Sequence, residues 1–279
     1  MREDKQITAL LVAVFIVGLA GLYFMGGIQG QIPEKINLPK TYVNDYRADL
    51  FLNGTFIEQF QYKSDGTFLG RIFRSWNYPL SVEKLSYPYV ELAGFMPISG
   101  TISYAKDHRG DLLAIAEDGS EVTFPVELGY TQKINSLAEW DEAGCFNPSY
   151  FDAGQEEIEY IFKIHPPIEQ DSQNSHWNLK LADEHLPYEN MEIIIHDPEG
   201  GIEQLFTHPP MATKKLGVVW VINGSSPKDK LIGVEMLLKA NGTKFLEGFP
   251  RNVYDVKGKT VRANKDALNE NTPPFEENS

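Results

Sequence analysis

The chain has 279 residues, of which 23% are charged and 12% aromatic, and it carries a formal net charge of −14. This aromatic content is enough for an apolar core and excludes a largely disordered chain. The acidic balance argues against nucleic acid as a partner, because a phosphate-tracking surface needs clustered Lys and Arg. The single cysteine, Cys145, excludes an intrachain disulfide and a thiolate metal cluster. We predict that it packs as a small apolar side chain.

An uncharged apolar stretch, ITALLVAVFIVGLAGLYFM, covers residues 7–25. As a helix rising about 1.5 Å per residue it would reach about 28 Å, close to the roughly 30 Å of a bilayer's hydrocarbon core. We therefore predict a transmembrane anchor or signal segment over residues 1–27, with the lipid bilayer as the partner of residues 7–25. Retention and cleavage both stay open, because the length favours retention and the following glycines offer a cleavage site.

Three further regions follow this segment. Residues 28–44 contain Pro, Gly and Lys without a hydrophobic period and are predicted to be a linker. Residues 45–262 are predicted to form an extracytoplasmic β-rich domain, with a subdivision near residue 150 left open. Residues 263–279, rich in Asn, Glu and Pro, are predicted to be a disordered tail.

The domain begins with two alternating runs joined by Asn53-Gly54. Asn-Gly favours the positive φ angles of a two-residue type I′ turn, so we predict a β-hairpin. That turn would set Asp49 opposite Glu58, two like charges best tolerated on the solvent face.

Short alternating runs bounded by turn residues continue through the domain. They are typical of antiparallel sandwiches. We predict an all-β fold: an antiparallel β-sandwich, Ig-like or larger, preceded by one N-terminal transmembrane helix.

One short helix is predicted at residues 136–144, where Ser136 and Glu139 form a capping box and Gly144 supplies a left-handed stop. A last strand is predicted near residues 252–256.

Three N-x-S/T sequons begin at Asn53, Asn223 and Asn241. All follow the apolar segment in turn-like contexts, so we predict them as glycosylation sites. The alternative is that Asn-Gly is turn chemistry alone. The Lys and Arg residues flanking the segment are close to balanced and do not orient it. The sequons therefore favour a single-pass protein of the cell membrane with its body extracytoplasmic.

The chemistry-bearing residues match no compact motif. Five of the six histidines fall between His165 and His208, at spacings unlike those of metal ligands. Carboxylates are plentiful, but their linear spacing in a β protein does not show two facing each other across a cleft, as a glycosidase needs. A P-loop, a dinucleotide fingerprint and hydrolase motifs are absent from the sequence. We assign no catalytic, cofactor-binding or metal-ligating residue and expect no cofactor.

Two stretches resemble a known family. Residues 45–62, DYRADLFLNGTFIEQFQY, followed by FLGRIFR at 68–74, resemble the start of a family of predicted membrane proteins, domain-of-unknown-function family 2207. A second match joins the strand at Trp177 to LPYENMEIII at 186–195. The resemblance implies a signal or anchor segment followed by an extracytoplasmic β-rich domain, and it brings no catalytic residues.

The leading functional hypothesis is a non-enzymatic surface module that binds a protein, an envelope component or another copy of itself, because sheet edges and faces suit such contacts. The alternative is a surface hydrolase or carbohydrate-active domain that uses carboxylates or a His-bound metal. A deep pocket with two facing carboxyls, or three histidines within reach of one metal, would favour the enzyme.

Overall fold

A computed structural model of the protein describes residues 38–66, 69–115, 122–123 and 129–271. Within these ranges the chain forms eighteen strands and two helices, α1 (Thr131–Leu137) and α2 (Val256–Asn271). The strands, in chain order, are β1 (Tyr42–Phe51), β2 (Thr55–Asp65), β3 (Arg71–Ser75), β4 (Leu80–Ser81), β5 (Tyr89–Met96), β6 (Ile102–Lys106), β7 (Leu112–Ile115), β8 (Val122–Thr123), β9 (Glu142–Phe146), β10 (Ala153–His165), β11 (Pro167–Gln170), β12 (Asn174–Ala182), β13 (Tyr188–His196), β14 (Ile202–His208), β15 (Ala212–Leu216), β16 (Val219–Ser226), β17 (Ile232–Lys239) and β18 (Phe249–Asn252).

The prediction of a β-rich body is confirmed. Neither described helix has the length and apolar character needed to cross a bilayer. The apolar stretch at residues 7–25 lies outside the described residues. The first strand begins at Tyr42, inside the range predicted as a linker.

The strands form three sheets. Sheet I has eight strands in the order β15-β16-β13-β1-β2-β10-β5-β4, sheet II has five in the order β14-β17-β12-β11-β18, and sheet III has five in the order β3-β9-β6-β7-β8. Residues from all three sheets contribute to one large core cluster, which includes Leu50, Phe162, Trp177 and Ile72. Cys145 is fully buried in it, as predicted. Burial raises the pKa of its thiol, as expected for a packed apolar side chain.

The expectation that every strand pair is antiparallel is wrong. In sheet I, β1 is antiparallel to β2 but parallel to β13, and β4 is parallel to β5. In sheet II, β11 is parallel to β18. A tight hairpin forces its two strands to be antiparallel, whereas β13 returns to β1 after a long excursion through other strands and can enter in either direction. The sheets are therefore mixed.

The first hairpin forms where predicted, but its register differs by one residue. The Gly54 amide donates to the Phe51 carbonyl at 2.9 Å, and Gly54 has a φ of +92°. This is a three-residue loop that ends in a left-handed glycine, rather than a two-residue type I′ turn. Asp49 therefore pairs with Ile57 instead of Glu58.

The helix predicted at residues 136–144 is wrong. Helix α1 ends at Leu137, and Gly144 is the middle residue of β9. A Cβ on Gly144 would lie 2.3 Å from the Ile72 carbonyl oxygen, so this glycine permits close approach of β3 rather than ending a helix.

The C-terminal part of the domain also differs from expectation. Instead of a strand near residues 252–256, β18 ends at Asn252 and α2 begins at Val256. The predicted disordered tail, 263–279, is helical over its described part, up to Asn271. Helix α2 contacts β12, and its side chains one turn apart, those of Val256, Thr260 and Asn264, are buried. Burial against sheet II stabilises this helix, which its polar sequence alone does not predict.

Candidate functional site

A cleft of about 910 Å³ lies on the outer face of sheet II, beside α2. Its size is in the range of ligand sites, roughly 300–1,000 Å³. We call it the Glu235 cleft. It is lined by Tyr78, Pro88, Pro167, Ile168, Glu169, His176, Asn178, Lys180, His208, Leu231, Gly233, Glu235, Phe249, Arg251, Ala263 and Asn264.

Strand alternation places the polar side chains in this cleft. In β12, Trp177 and Leu179 are buried in the core, whereas His176, Asn178 and Lys180 point the other way and line the cleft. Side chains alternate in the same way along β17. The two neighbours of Glu235 lie in the core, and Glu235 lies on the outer face. The outer face of sheet II is therefore polar at its centre.

Glu235 is held between two imidazoles. His176 Nε2 lies 2.8 Å from Oε1 of Glu235, and His208 Nε2 lies 3.1 Å from Oε2. An ionised carboxylate only accepts hydrogen bonds, so each ring donates from Nε2. The Glu235 side chain is only 9% exposed, and its two oxygens are fixed in place by these contacts.

Glu235 remains charged despite its burial. Burial alone raises the pKa of a carboxyl group, but hydrogen bonds from His176 and His208, with a further one from Asn264, outweigh it and lower the pKa of Glu235 to about 2. At neutral pH the cleft thus contains a fixed carboxylate that cannot serve as a proton donor.

The charged contacts continue beyond Glu235. Glu169 Oε2 lies 3.6 Å from Nδ1 of His176, and the carboxylate of Glu169 also pairs with Arg251. Side chains that donate and carboxylates that accept therefore alternate along the floor of the cleft from Arg251 to His208.

This arrangement does not form a metal site. In the part of the chain that the structure describes, no group of three or more His, Cys, Asp or Glu side chains is arranged to hold a metal ion. The Nε2 atoms of His176 and His208 are used as donors to Glu235, so their lone pairs are not directed at a common point.

The walls of the cleft are largely apolar. Tyr78 and Phe249 supply aromatic surface, and Pro88, Pro167 and Leu231 supply aliphatic surface. Apolar walls with a few fixed polar groups are typical of sites that bind small molecules.

Only two of the five clustered histidines meet. His165 stacks on a tyrosine ring with a centroid distance of 4.2 Å, His185 bonds to the Lys230 carbonyl at 2.7 Å, and His196 bonds to Asp49 at 2.7 Å. These three are integrated separately into the fold, so their proximity in the sequence does not reflect a shared site.

The three predicted glycosylation sites are all exposed. Asn53 lies in the β1–β2 turn and Asn241 in the turn after β17, as expected. Asn223, by contrast, lies within β16 rather than in a turn. Their glycosylation stays a prediction.

Glu235, the central residue of the cleft, is not among the residues predicted from the sequence. Its strand reads IGVEMLLK, and a lone carboxylate inside an apolar strand was the available signal. A buried charge is costly unless it is paired, so such a residue predicts partners from elsewhere in the chain.

A family model described as the N-terminal domain of a predicted membrane protein, DUF2207, matches residues 42–238. No curated protein matches the chain. The matched range runs from the start of β1 nearly to the end of β17 and includes His176, His208 and Glu235, whereas α2 lies beyond it. The resemblance seen in the sequence is confirmed.

Proposed function

The chain belongs to the DUF2207 family of predicted membrane proteins, and from this premise we propose that it is a single-pass protein whose β-sandwich body lies outside the cytoplasm and binds a ligand in the Glu235 cleft. The apolar stretch at residues 7–25 supports the anchor. The three exposed sequons support the outward orientation of the body.

The observation that carries the binding proposal is the fixed carboxylate of Glu235 in an open, mostly apolar cleft. Two imidazoles orient it, and the pKa of about 2 keeps it ionised at any physiological pH. A group that is oriented in advance costs a ligand less ordering on binding. The preoriented carboxylate of Glu235 therefore favours ligand binding in this cleft.

The lining favours a ligand rich in hydroxyl groups, such as a saccharide of the cell envelope. The side chains of Asn178, Glu169 and Arg251 are planar groups that donate or accept hydrogen bonds, as hydroxyls require. The faces of Tyr78 and Phe249 suit the C–H surface of a sugar ring.

The same cleft argues against the hydrolase alternative. A retaining or inverting glycosidase needs one carboxyl group with a raised pKa to protonate the leaving group. In Glu235 the pKa is lowered, and Glu169 is already paired with Arg251. These contacts favour binding over bond cleavage.

The orientation is tested by treating intact cells with protease and blotting the membrane fraction. We expect the body to be degraded in intact cells and a short anchored fragment to stay in the membrane. A body that survives until the cells are lysed would contradict the outward orientation.

Ligand binding is tested with the full chain in detergent against fragments of the envelope polysaccharide. Asn178→Ala removes an exposed polar group from the cleft, and Asn135→Ala removes an exposed group of the same type on α1. We expect Asn178→Ala to weaken binding at least about fivefold, the loss of one hydrogen bond, and Asn135→Ala to leave it unchanged. Equal affinities, or release of new reducing ends from the polysaccharide, would overturn the proposal.

A further inference from the structure

A second cleft, of about 590 Å³, shares no lining residue with the Glu235 cleft. Four separate segments form it: the β1–β2 turn, the C-terminal end of β10, the end of β13 with the loop that follows it, and the end of β17 with the turn that follows it. We call it the Lys239 cleft, after the last residue of β17, which lines it. It is lined by Phe51, Leu52, Asn53, Lys163, His196, Pro198, Glu199, Gly201, Lys239, Asn241, Gly242, Lys244 and Phe245.

The charge of this cleft is opposite to that of the protein. The chain carries a net charge of −14, yet the cleft is lined by Lys163, Lys239 and Lys244 and by a single carboxylate, that of Glu199. Glu199 forms an ion pair with Lys244. The other two lysines therefore determine the local charge.

Neither of these two lysines forms an ion pair with the described residues, although Lys239 acts electrostatically on Glu203, which is itself hydrogen-bonded to Lys257. The Lys239 ammonium donates to the Gly200 carbonyl at 2.7 Å, a neutral acceptor. Lys163 forms no ion pair with the described residues, and its cross-strand neighbour Glu91 instead contacts His165 at 3.4 Å. Two positive charges thus line the cleft without a carboxylate in contact.

The backbone around the cleft is firmly held. The buried carboxylate of Asp197 accepts from the Gly201 amide at 2.6 Å and from the Ile202 amide at 3.1 Å. The loop after β13 also packs closely against the turn after β17, where a Cβ on Gly201 would lie 3.2 Å from the Cα of Gly242. The lysines project from a fixed frame, which lowers the ordering cost of binding.

One wall of the cleft is aromatic. His196 stacks on Phe51 with a centroid distance of 4.1 Å and an interplanar angle of 4°. Phe245 is 63% exposed, and the Lys244 ammonium lies 4.6 Å from its ring centroid. Lys244 is paired with Glu199, but Phe245 shares the cleft with Lys163 and Lys239. A large exposed aromatic side chain in a cleft with two lysines outside any ion pair suits a ligand with both an apolar and an acidic part.

We propose that the Lys239 cleft binds a small organic dianion, a phosphate monoester or dicarboxylate with an apolar group, whose charge is met by Lys163 and Lys239 and whose apolar part packs on Phe245. This site is separate from the Glu235 cleft, and it is open to a ligand only where Asn53 and Asn241, which line it, carry no glycan.

The test is a calorimetric titration of the full chain in detergent with phenyl phosphate, inorganic phosphate and benzyl alcohol. The protein is produced in bacteria without glycosylation, because Asn53 and Asn241 lie at this cleft and a glycan on either one would cover it. We expect phenyl phosphate to bind most tightly, inorganic phosphate more weakly and benzyl alcohol not measurably. Added salt weakens the binding of both anions. Benzyl alcohol binding as tightly as phenyl phosphate would overturn the proposal.

The variant K163Q/K239Q removes both charges while each glutamine keeps a hydrogen-bond donor. The matched control K40Q/K228Q makes the same replacement at two exposed lysines, which pair with Asp65 and Asp229 and lie outside the cleft lining. We expect the cleft variant to lose at least about tenfold in affinity for phenyl phosphate and the control to lose less than about twofold. Equal losses would show a general effect of net charge and refute the site. Far-ultraviolet circular dichroism confirms that both variants are folded.

Discussion

Arg74 donates from Nε to Oε2 of Glu58 at 2.8 Å, and this buried ion pair connects all three sheets. Arg74 lies on β3 of sheet III and Glu58 on β2 of sheet I, while Nη2 of Arg74 donates to the Leu181 carbonyl of sheet II at 2.7 Å. The hydroxyl of Tyr46 donates to the other oxygen of Glu58 at 2.7 Å. Both charged groups have their hydrogen bonds supplied by the protein, which offsets the cost of removing them from water.

Replacing Arg74 with methionine is expected to destabilise the body strongly. The substitution leaves the Glu58 carboxylate buried without its partner, so we expect a loss of about 3–5 kcal/mol in the free energy of unfolding, measured by urea denaturation. The double variant R74M/E58Q removes both charges and should recover part of this loss. R47M is the control, because Arg47 pairs with Asp49 and Glu192 at an exposed position and should change stability by less than about 1 kcal/mol. Similar losses in R74M and R47M would contradict the role of the buried pair.

Replacing Gly54 with alanine tests the first hairpin. Gly54 has a φ of +92°, and an added Cβ would lie 2.5 Å from the Ile164 carbonyl oxygen. Gly217 also has a positive φ, +60°, but its Cβ would meet nothing within 4 Å. We expect G217A to cost about 1 kcal/mol, the penalty of the backbone conformation alone, and G54A to cost clearly more. Thermal denaturation of both variants measures the difference. Equal costs would mean that the contact with Ile164 relaxes freely.

The stability of the body should depend on pH through Glu235. The pKa of Glu235 is about 2 in the folded protein, against the ordinary glutamate value of 4.5 expected in the unfolded chain. Its stabilising contribution is therefore fully present above pH 4.5 and is lost as the pH falls towards 2. Glutamine at this position cannot titrate. The difference in free energy of unfolding between the wild type and E235Q should therefore shrink below pH 4.5, by up to roughly 3 kcal/mol.

The measurement is urea unfolding of both proteins at several pH values between 2 and 6, since the comparison with E235Q cancels the titration of other carboxyls. E199Q serves as the control, because Glu199 is exposed and half of its side-chain surface faces solvent. A wild-type advantage over E235Q that stays constant across this range would contradict the lowered pKa.

Asp171 should control the start of α2. Its carboxylate accepts from the amides of Gln173 and Asn174 at 2.8 Å and from the amide of Val256 at 2.9 Å, and these bonds lower the pKa of Asp171. Asp171→Ala leaves the first amide of α2 without this partner, so we expect several-fold faster hydrogen exchange in residues 256–264. Asp229→Ala, which removes a side-chain acceptor from the His185 amide, is the control. Unchanged exchange in α2 would show that the bond from Val256 to Asp171 does not hold the start of the helix, which would leave burial and the bond from the Gly258 amide to Asp255.

The sequence by itself determined the features that depend on neighbouring residues. Alternation in β10 and β12 identified strands with one face in the core, because side chains point to opposite faces at every second residue. Asn53-Gly54 located the first hairpin, because glycine accepts a positive φ at little cost. The motifs at residues 45–74 and 177–195 carried the family resemblance that the match over residues 42–238 confirms.

Only the tertiary structure decided what depends on residues far apart in the chain. The packing of the sheets decides the parallel pairing of β1 with β13 and the close contact of Gly144 with β3. It also brings His176 and His208 to Glu235. Strand order and register are set by burial and by long-range pairing, and neither leaves a signature in a local window of sequence. Both clefts are assembled from segments separated by many residues, so their chemistry emerges only when the chain is folded.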